Sequence, residues 1–117
     1  MSYAGSIIAF PAAFENSKVV FFNQSELTQI LNTYGRMVSA GLLKDYAINE
    51  SRGQVVFSFF RGTSERPLYR VVKNPAHGKK KGPFLILGAD GTLLKRGGSL
   101  KTVLKFFEPK MIRLVGA

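Results

Sequence analysis

The stretch from Asn74 to Phe84 reads "NPAHGKKKGPF", three adjacent ammonium groups in a segment punctuated by two prolines and two glycines. Lys79, Lys80 and Lys81 repel one another, and no carboxylate lies near them in the sequence, so local stability does not account for the run. Such a cluster can hold anions. Flanked by Gly78 and Gly82, it can bend to follow a phosphate backbone, and each phosphate neutralised releases counterions. A second segment of similar chemistry is "KRGGSLK", Lys95 to Lys101. Gly97 and Gly98 permit close backbone approach, Ser99 can cap a helix, and the amides of that first turn point at whatever lies beyond, with Lys95, Arg96 and Lys101 adding charge. The GxxxxGK[ST] spacing is absent, so nucleotide hydrolysis has no support. Each segment also has a plainer reading: a solvated loop tip for the first, a steric connection with a capping serine for the second.

The distribution of charge favours the binding reading. The 117 residues carry 17 Lys and Arg against 7 Asp and Glu, a formal net of +10 with a pI near 10.2. Between positions 61 and 105 stand Arg61, Arg66, Arg70, Lys73, Lys79, Lys80, Lys81, Lys95, Arg96, Lys101 and Lys105, opposed by Glu65 and Asp90 alone. The rest of the chain is close to neutral. A near-neutral part joined to a strongly cationic one suits a polyanionic partner. Aromatic and basic residues interleave at Phe59-Phe60-Arg61 and Leu68-Tyr69-Arg70, a pattern in which exposed rings stack on bases while arginines hold phosphates. Strand phenylalanines belong mostly to the core, so Tyr69 is the ring singled out as a stacking candidate.

Other chemistries find no constellation. Cysteine is absent, which removes disulfides, thiolate metal sites and thiol nucleophiles and points to a reducing, cytoplasmic setting. His77 is the sole histidine and the carboxylates are scattered, so neither a metal site, a catalytic dyad nor a cofactor is expected. No segment approaches the roughly 20 apolar residues of a membrane span. The N-terminal stretch has no basic residue before Lys18 and is interrupted by Pro11, unlike a secretory signal.

The elements that must position these residues follow from periodicity. Residues 1–17 read as an arm with apolar Ile7, Ile8, Phe10 and Phe14, and residues 18–117 as one domain. "KVVFF" (18–22) reads as a strand. Asn23 and Glu26 form a capping box for a helix with Leu27, Ile30, Leu31, Tyr34 and Val38 on its core face, ended by Gly41; Gly35 within it suggests close packing. A hairpin turns at Glu50–Gly53, and "QVVFSFF", apolar on both faces, reads as a central strand. "PLYRVVK", "PFLILG" and "TLLKR" continue the sheet. Ser99 opens a short helix stopped near Pro109, and "MIRLV" reads as a last strand. The expected fold is α+β: an antiparallel β-sheet meander with one longer N-terminal helix and one short C-terminal helix.

The segments "LTQILNTYGRMVSAG", "KDYAI", "PLYRVVKNP" and "LLKRGGSLKTVLKFFEPKMIRLV" together resemble a family of small alphaproteobacterial proteins catalogued only as a domain of unknown function, over roughly residues 18–115. The resemblance implies a bacterial cytoplasmic protein and brings no activity or ligand.

On the residues, the expected function is non-enzymatic binding of nucleic acid, DNA or RNA, with little sequence preference, because lysines on phosphates orient without reading bases. The rival is an interaction protein whose basic half meets an acidic protein. The sequence leaves a homodimer open, through the arm or an unpaired sheet edge.

Overall fold

Asn23 begins the first helix as the sequence requires: its side chain accepts from the Glu26 amide while the Glu26 carboxylate accepts from the Asn23 amide, both at 2.8 Å. This chain, a computed structural model, is described over residues 19–62 and 66–115, apart from the side chains of Lys79 and residues 112–115; the arm at 1–17 lies outside the described residues. Helix α1 runs Gln24–Ser39. It closes with the Leu42 amide on the Met37 carbonyl and the Gly41 amide on Val38, with Gly41 at φ +79°, the paired bonds of a Schellman stop. The residues it buries are Ile30, Thr33 and Met37, while Leu27 and Tyr34 pack at the margin and Leu31 and Val38 are exposed. The core stripe is thus rotated from the one expected, and Gly35 is exposed with nothing near it. The close packing expected at Gly35 is absent because the glycine is on the solvent side.

Five strands follow: β1 Asp45–Ser51, β2 Gln54–Phe60, β3 Tyr69–Lys73, β4 Phe84–Gly88 and β5 Leu93–Gly97. They pair antiparallel in sequence order, a simple meander. The first hairpin turns on two residues, Arg52 (φ +52°) and Gly53 (φ +80°), the doubly left-handed geometry that matches strand twist. "KVVFF" is not a strand over its described residues: Val19–Asn23 has no ladder partner and docks by burying Val20 and packing Phe22 on the core.

The segment between β3 and β4 is more ordered than a loop. A 3₁₀ turn, Pro75–His77, leads into a single helical turn α2, Gly78–Lys81. Its ends are tied, since the Asn74 amide donates to the Pro83 carbonyl at 2.7 Å.

The C-terminal chain corrects the sequence reading. Helix α3 spans Leu100–Leu104, a 3₁₀ turn covers Lys105–Phe107, and α4 continues over Glu108–Val115. Pro109 does not stop it, because it occupies the first turn of α4, where a missing amide costs no hydrogen bond. "MIRLV" is therefore helical and no sixth strand forms among the described residues. These helices and α1 cover one face of the sheet, burying Phe57, Phe59, Val71, Ile86, Val103 and Phe107 between them.

Candidate nucleic-acid interface

The strand register sorts the connections to two ends of the sheet. Val55, Lys73, Phe84 and Gly97 share one row across β2 to β5, so the Arg52-Gly53 turn, the lysine segment and the Gly98-Ser99 connection all emerge at that end. Two segments meet there through Gly82 and Gly97, fifteen positions apart. Gly82, at φ +94°, lies so close to Gly97 that a Cβ on it would stand 2.6 Å from the Gly97 carbonyl carbon. Gly97 is as restricted, since its own Cβ would meet Val103 Cγ2 at 2.9 Å. The two glycines let the lysine turn seat directly against the end of β5.

This end is a cationic rim. Lys80 and Lys81 are exposed on the lysine turn, and Lys95 and Arg96 are exposed on the part of β5 that leads into this end, paired with Ile86 and Leu85 and pointing to opposite faces of the sheet. Of the ion pairs Arg36–Glu108 and Lys73–Glu26, the second lies at this end, and neither takes Lys80, Lys81, Lys95 or Arg96. Asp90 sits in the β4–β5 turn at the opposite end, where its carboxylate accepts from the Thr92 amide at 3.0 Å. That bond holds Asp90 below the usual carboxylate range. Two carboxylates share this end, Glu50 in the row of Val55 and Glu26 in the lining of the cleft beside Gly98, so the end is cationic on balance. Arg52, exposed at the hairpin tip, belongs to the same end, although it lies outside the basic segment of the sequence. Its signal was the hairpin register, which a count of charge along the chain does not use.

Other expected site residues go elsewhere. Arg61 and Arg66 flank the β2–β3 connection at the far end, on the order of 20 Å away by the rise of a strand. Arg70 is half-buried on the face opposite the helices, in the row of Ser58 and Leu87. Lys101 and Lys105 line a shallow groove of about 230 Å³ with Gln29, Asn32, Thr33 and Glu108, between α1 and the C-terminal helices.

Two residues are occupied by structure. Lys73 Nζ donates to Glu26 Oε1 at 2.7 Å and to the Phe21 carbonyl at 2.8 Å, both partners of the ion pair being largely buried. It fastens the entry to α1 onto β3 and is not offered to a ligand. Tyr69 lies on the helix side, its ring edge-on to Phe107 at 5.1 Å and to Phe106 at 6.2 Å. Its ring serves the aromatic cluster, and the rim does not use it.

Ser99 caps α3, its hydroxyl accepting from the Thr102 amide at 3.4 Å. The helix it opens has five residues, so its macrodipole is small, and Gly97, Gly98 and Ser99 contribute backbone approach more than field. An open cleft of about 340 Å³ lies beside it, lined by Lys73, Gly78, Pro83 and Gly98.

A single antiparallel meander carrying its helices on one face, with strand connections gathered into a basic rim, defines a small α+β protein. The chain belongs to the family described as protein of unknown function DUF2794, whose model matches residues 20–104. The match ends at the last residue of α3, short of the resemblance read from the sequence. No curated protein and no solved structure matches the chain. Among the described residues no helix is long and apolar enough to cross a membrane.

Proposed function

We propose that this protein is a non-enzymatic nucleic-acid-binding protein that holds the phosphate backbone, DNA or RNA, on the rim formed by Lys79, Lys80, Lys81, Lys95, Arg96 and the Gly97-Gly98-Ser99 connection. The observation that carries the reading is the seating of Gly82 on Gly97, which brings two separate basic segments to one end of the sheet. Neutralising phosphates there displaces counterions and relieves the mutual repulsion of the lysines. Base readout is not part of the reading, because the cations of the rim sit on a turn and a strand end, and lysines on phosphates orient without reading bases. A bacterial cytoplasm, alphaproteobacterial by the sequence resemblance, is the proposed setting.

The test is a titration of single- and double-stranded DNA and RNA at several salt concentrations. Replacing Lys79, Lys80 and Lys81 together by Ala is expected to weaken binding to every sequence and to lower the log–log salt slope by about 0.9 per lost duplex phosphate contact. Replacing Arg61 and Arg66 at the far end is expected to change the slope less. An equal effect of the two variants would sink the rim as the site. Weak binding to all four nucleic acids would favour an acidic protein partner for the same surface.

A further inference from the structure

The meander has two edges, and they differ. On β5 the exposed Lys95 and Arg96 guard the edge, as charged side chains do against unwanted pairing. On β1 the run Tyr46-Ala47-Ile48-Asn49 carries no charge and no proline, and its register with β2 is unbroken from Asp45↔Phe60 to Ser51↔Gln54, so no bulge twists it away. Among the described residues no strand pairs with its outer side, where the Tyr46 amide donates to the Asp45 carboxylate at 2.8 Å, a bond that an added strand would replace. Tyr46 and Ile48 are 43% and 41% exposed. Beside them, Tyr34 of α1 meets Tyr46 edge-on at 5.1 Å, and Leu31 and Val38, one turn to either side of Tyr34, are exposed as well.

We propose that β1 pairs antiparallel with β1 of a second copy, about a two-fold axis through Ala47. The two-residue turn makes Ser51 and Gln54 a hydrogen-bonded pair, so Asn49 and Ala47 point their amides and carbonyls at β2, whereas Tyr46, Ile48 and Glu50 point theirs at the open side. Only registers that set even-numbered residues opposite one another use those groups. Centring on Ala47 places Tyr46 opposite Ile48 of the second copy, twice, with Asp45 facing Asn49; Lys44, whose amide donates to the Phe60 carbonyl at 2.9 Å, lies beyond the ladder. Centring on Ile48 instead sets Tyr46 against Glu50 and Lys44 against Arg52, a like-charge pair. Centring on Tyr46 leaves Glu50 opposite Leu42, and centring on Asn49 sets it against Ile48. Of these registers the Ala47 one alone sets the exposed apolar residues Tyr46 and Ile48 against each other. It also brings the α1 stripes bearing Leu31 and Val38 towards each other across the same axis, so the interface has an apolar flank as well as a ladder. The proposal stands independently of the nucleic-acid reading.

Because the chain has no cysteine, Ala47→Cys and Asn49→Cys each introduce a single thiol. In the proposed dimer the two copies of position 47 form a non-hydrogen-bonded pair with Cα atoms about 4.5 Å apart, within disulfide reach, whereas the copies of position 49 are about 14 Å apart. Mild oxidation is expected to give a cross-linked dimer from Ala47→Cys and little from Asn49→Cys. By sedimentation equilibrium the unmodified protein is expected to be dimeric, and Ile48→Lys to weaken dimerisation at least tenfold with an unchanged circular dichroism spectrum. If Ile48→Lys does not fold, the cysteine pair decides alone. A monomer at about 100 μM protein, or equal cross-linking at positions 47 and 49, would overturn the proposal.

Discussion

Gly82 and Gly35 show how differently one residue type can act in this chain. At Gly82 the left-handed backbone and the Gly97 carbonyl carbon both exclude a side chain, so Gly82→Ala is expected to destabilise by about 2–4 kcal/mol and to displace the lysine turn from β5. At Gly35 the space is open and the backbone helical, so Gly35→Ala is expected to stabilise by about 0.5–1 kcal/mol. Chemical denaturation of the two variants measures both, and a stable Gly82→Ala would contradict the close seating. Lys73 separates structural from surface cations. Lys73→Met leaves the Glu26 carboxylate without its cation and is expected to cost about 1–3 kcal/mol while leaving the nucleic-acid salt slope unchanged. A slope that fell with Lys73→Met would mean that this lysine reaches the ligand. Both glycines and the lysine were visible in the sequence. Their roles were not, because Gly82 and Lys73 each depend on a residue at least fifteen positions away and Gly35 on which side of α1 faces solvent.

The helices illustrate what local signals determine. The capping box at Asn23 and Glu26 and the glycine stop at Gly41 were legible because each is a contact within one or two turns. The buried stripe was not, since the rotation of α1 about its axis is set by the sheet below, and Thr33 and Met37 took the places expected for Leu31 and Val38. A long-range tie joins α1 to α4: Arg36 Nη1 and Nη2 donate to the two Glu108 oxygens at 2.9 and 3.1 Å. Those bonds hold the Glu108 carboxyl below its usual range and raise the Arg36 guanidinium. A carboxylate with a depressed folded-state pKa contributes stability that is present above the unfolded value and is lost as pH falls through the folded one. Thermal stability is therefore expected to decline as pH falls below the ordinary carboxylate range, with Glu108→Gln showing a shallower decline than the unmodified protein. Identical pH profiles would show that the pair, exposed as it is, adds nothing.

At the scale of the whole molecule, charge decides the behaviour. Most of the cationic residues read from the sequence as one basic half are divided by the fold among a rim, a far end, a sheet face and a helix groove, so a charge count along the chain overstates any single surface. The salt slope is the quantity that tells these apart, since a rim of a few lysines gives a modest slope and a fully engaged basic half a steep one. The sequence by itself determined the α+β class, the order of the meander and the net positive charge, because hydrophobic period, turn residues and charge are additive along the chain. Only the tertiary structure decided that Lys73 is spent on Glu26, that Tyr69 packs on Phe106 and Phe107, that Arg52 joins the rim, and that among the described residues no strand pairs with the outer side of β1. Each of these depends on which residues the strand register sets side by side, and that register is settled by burial across the whole sheet.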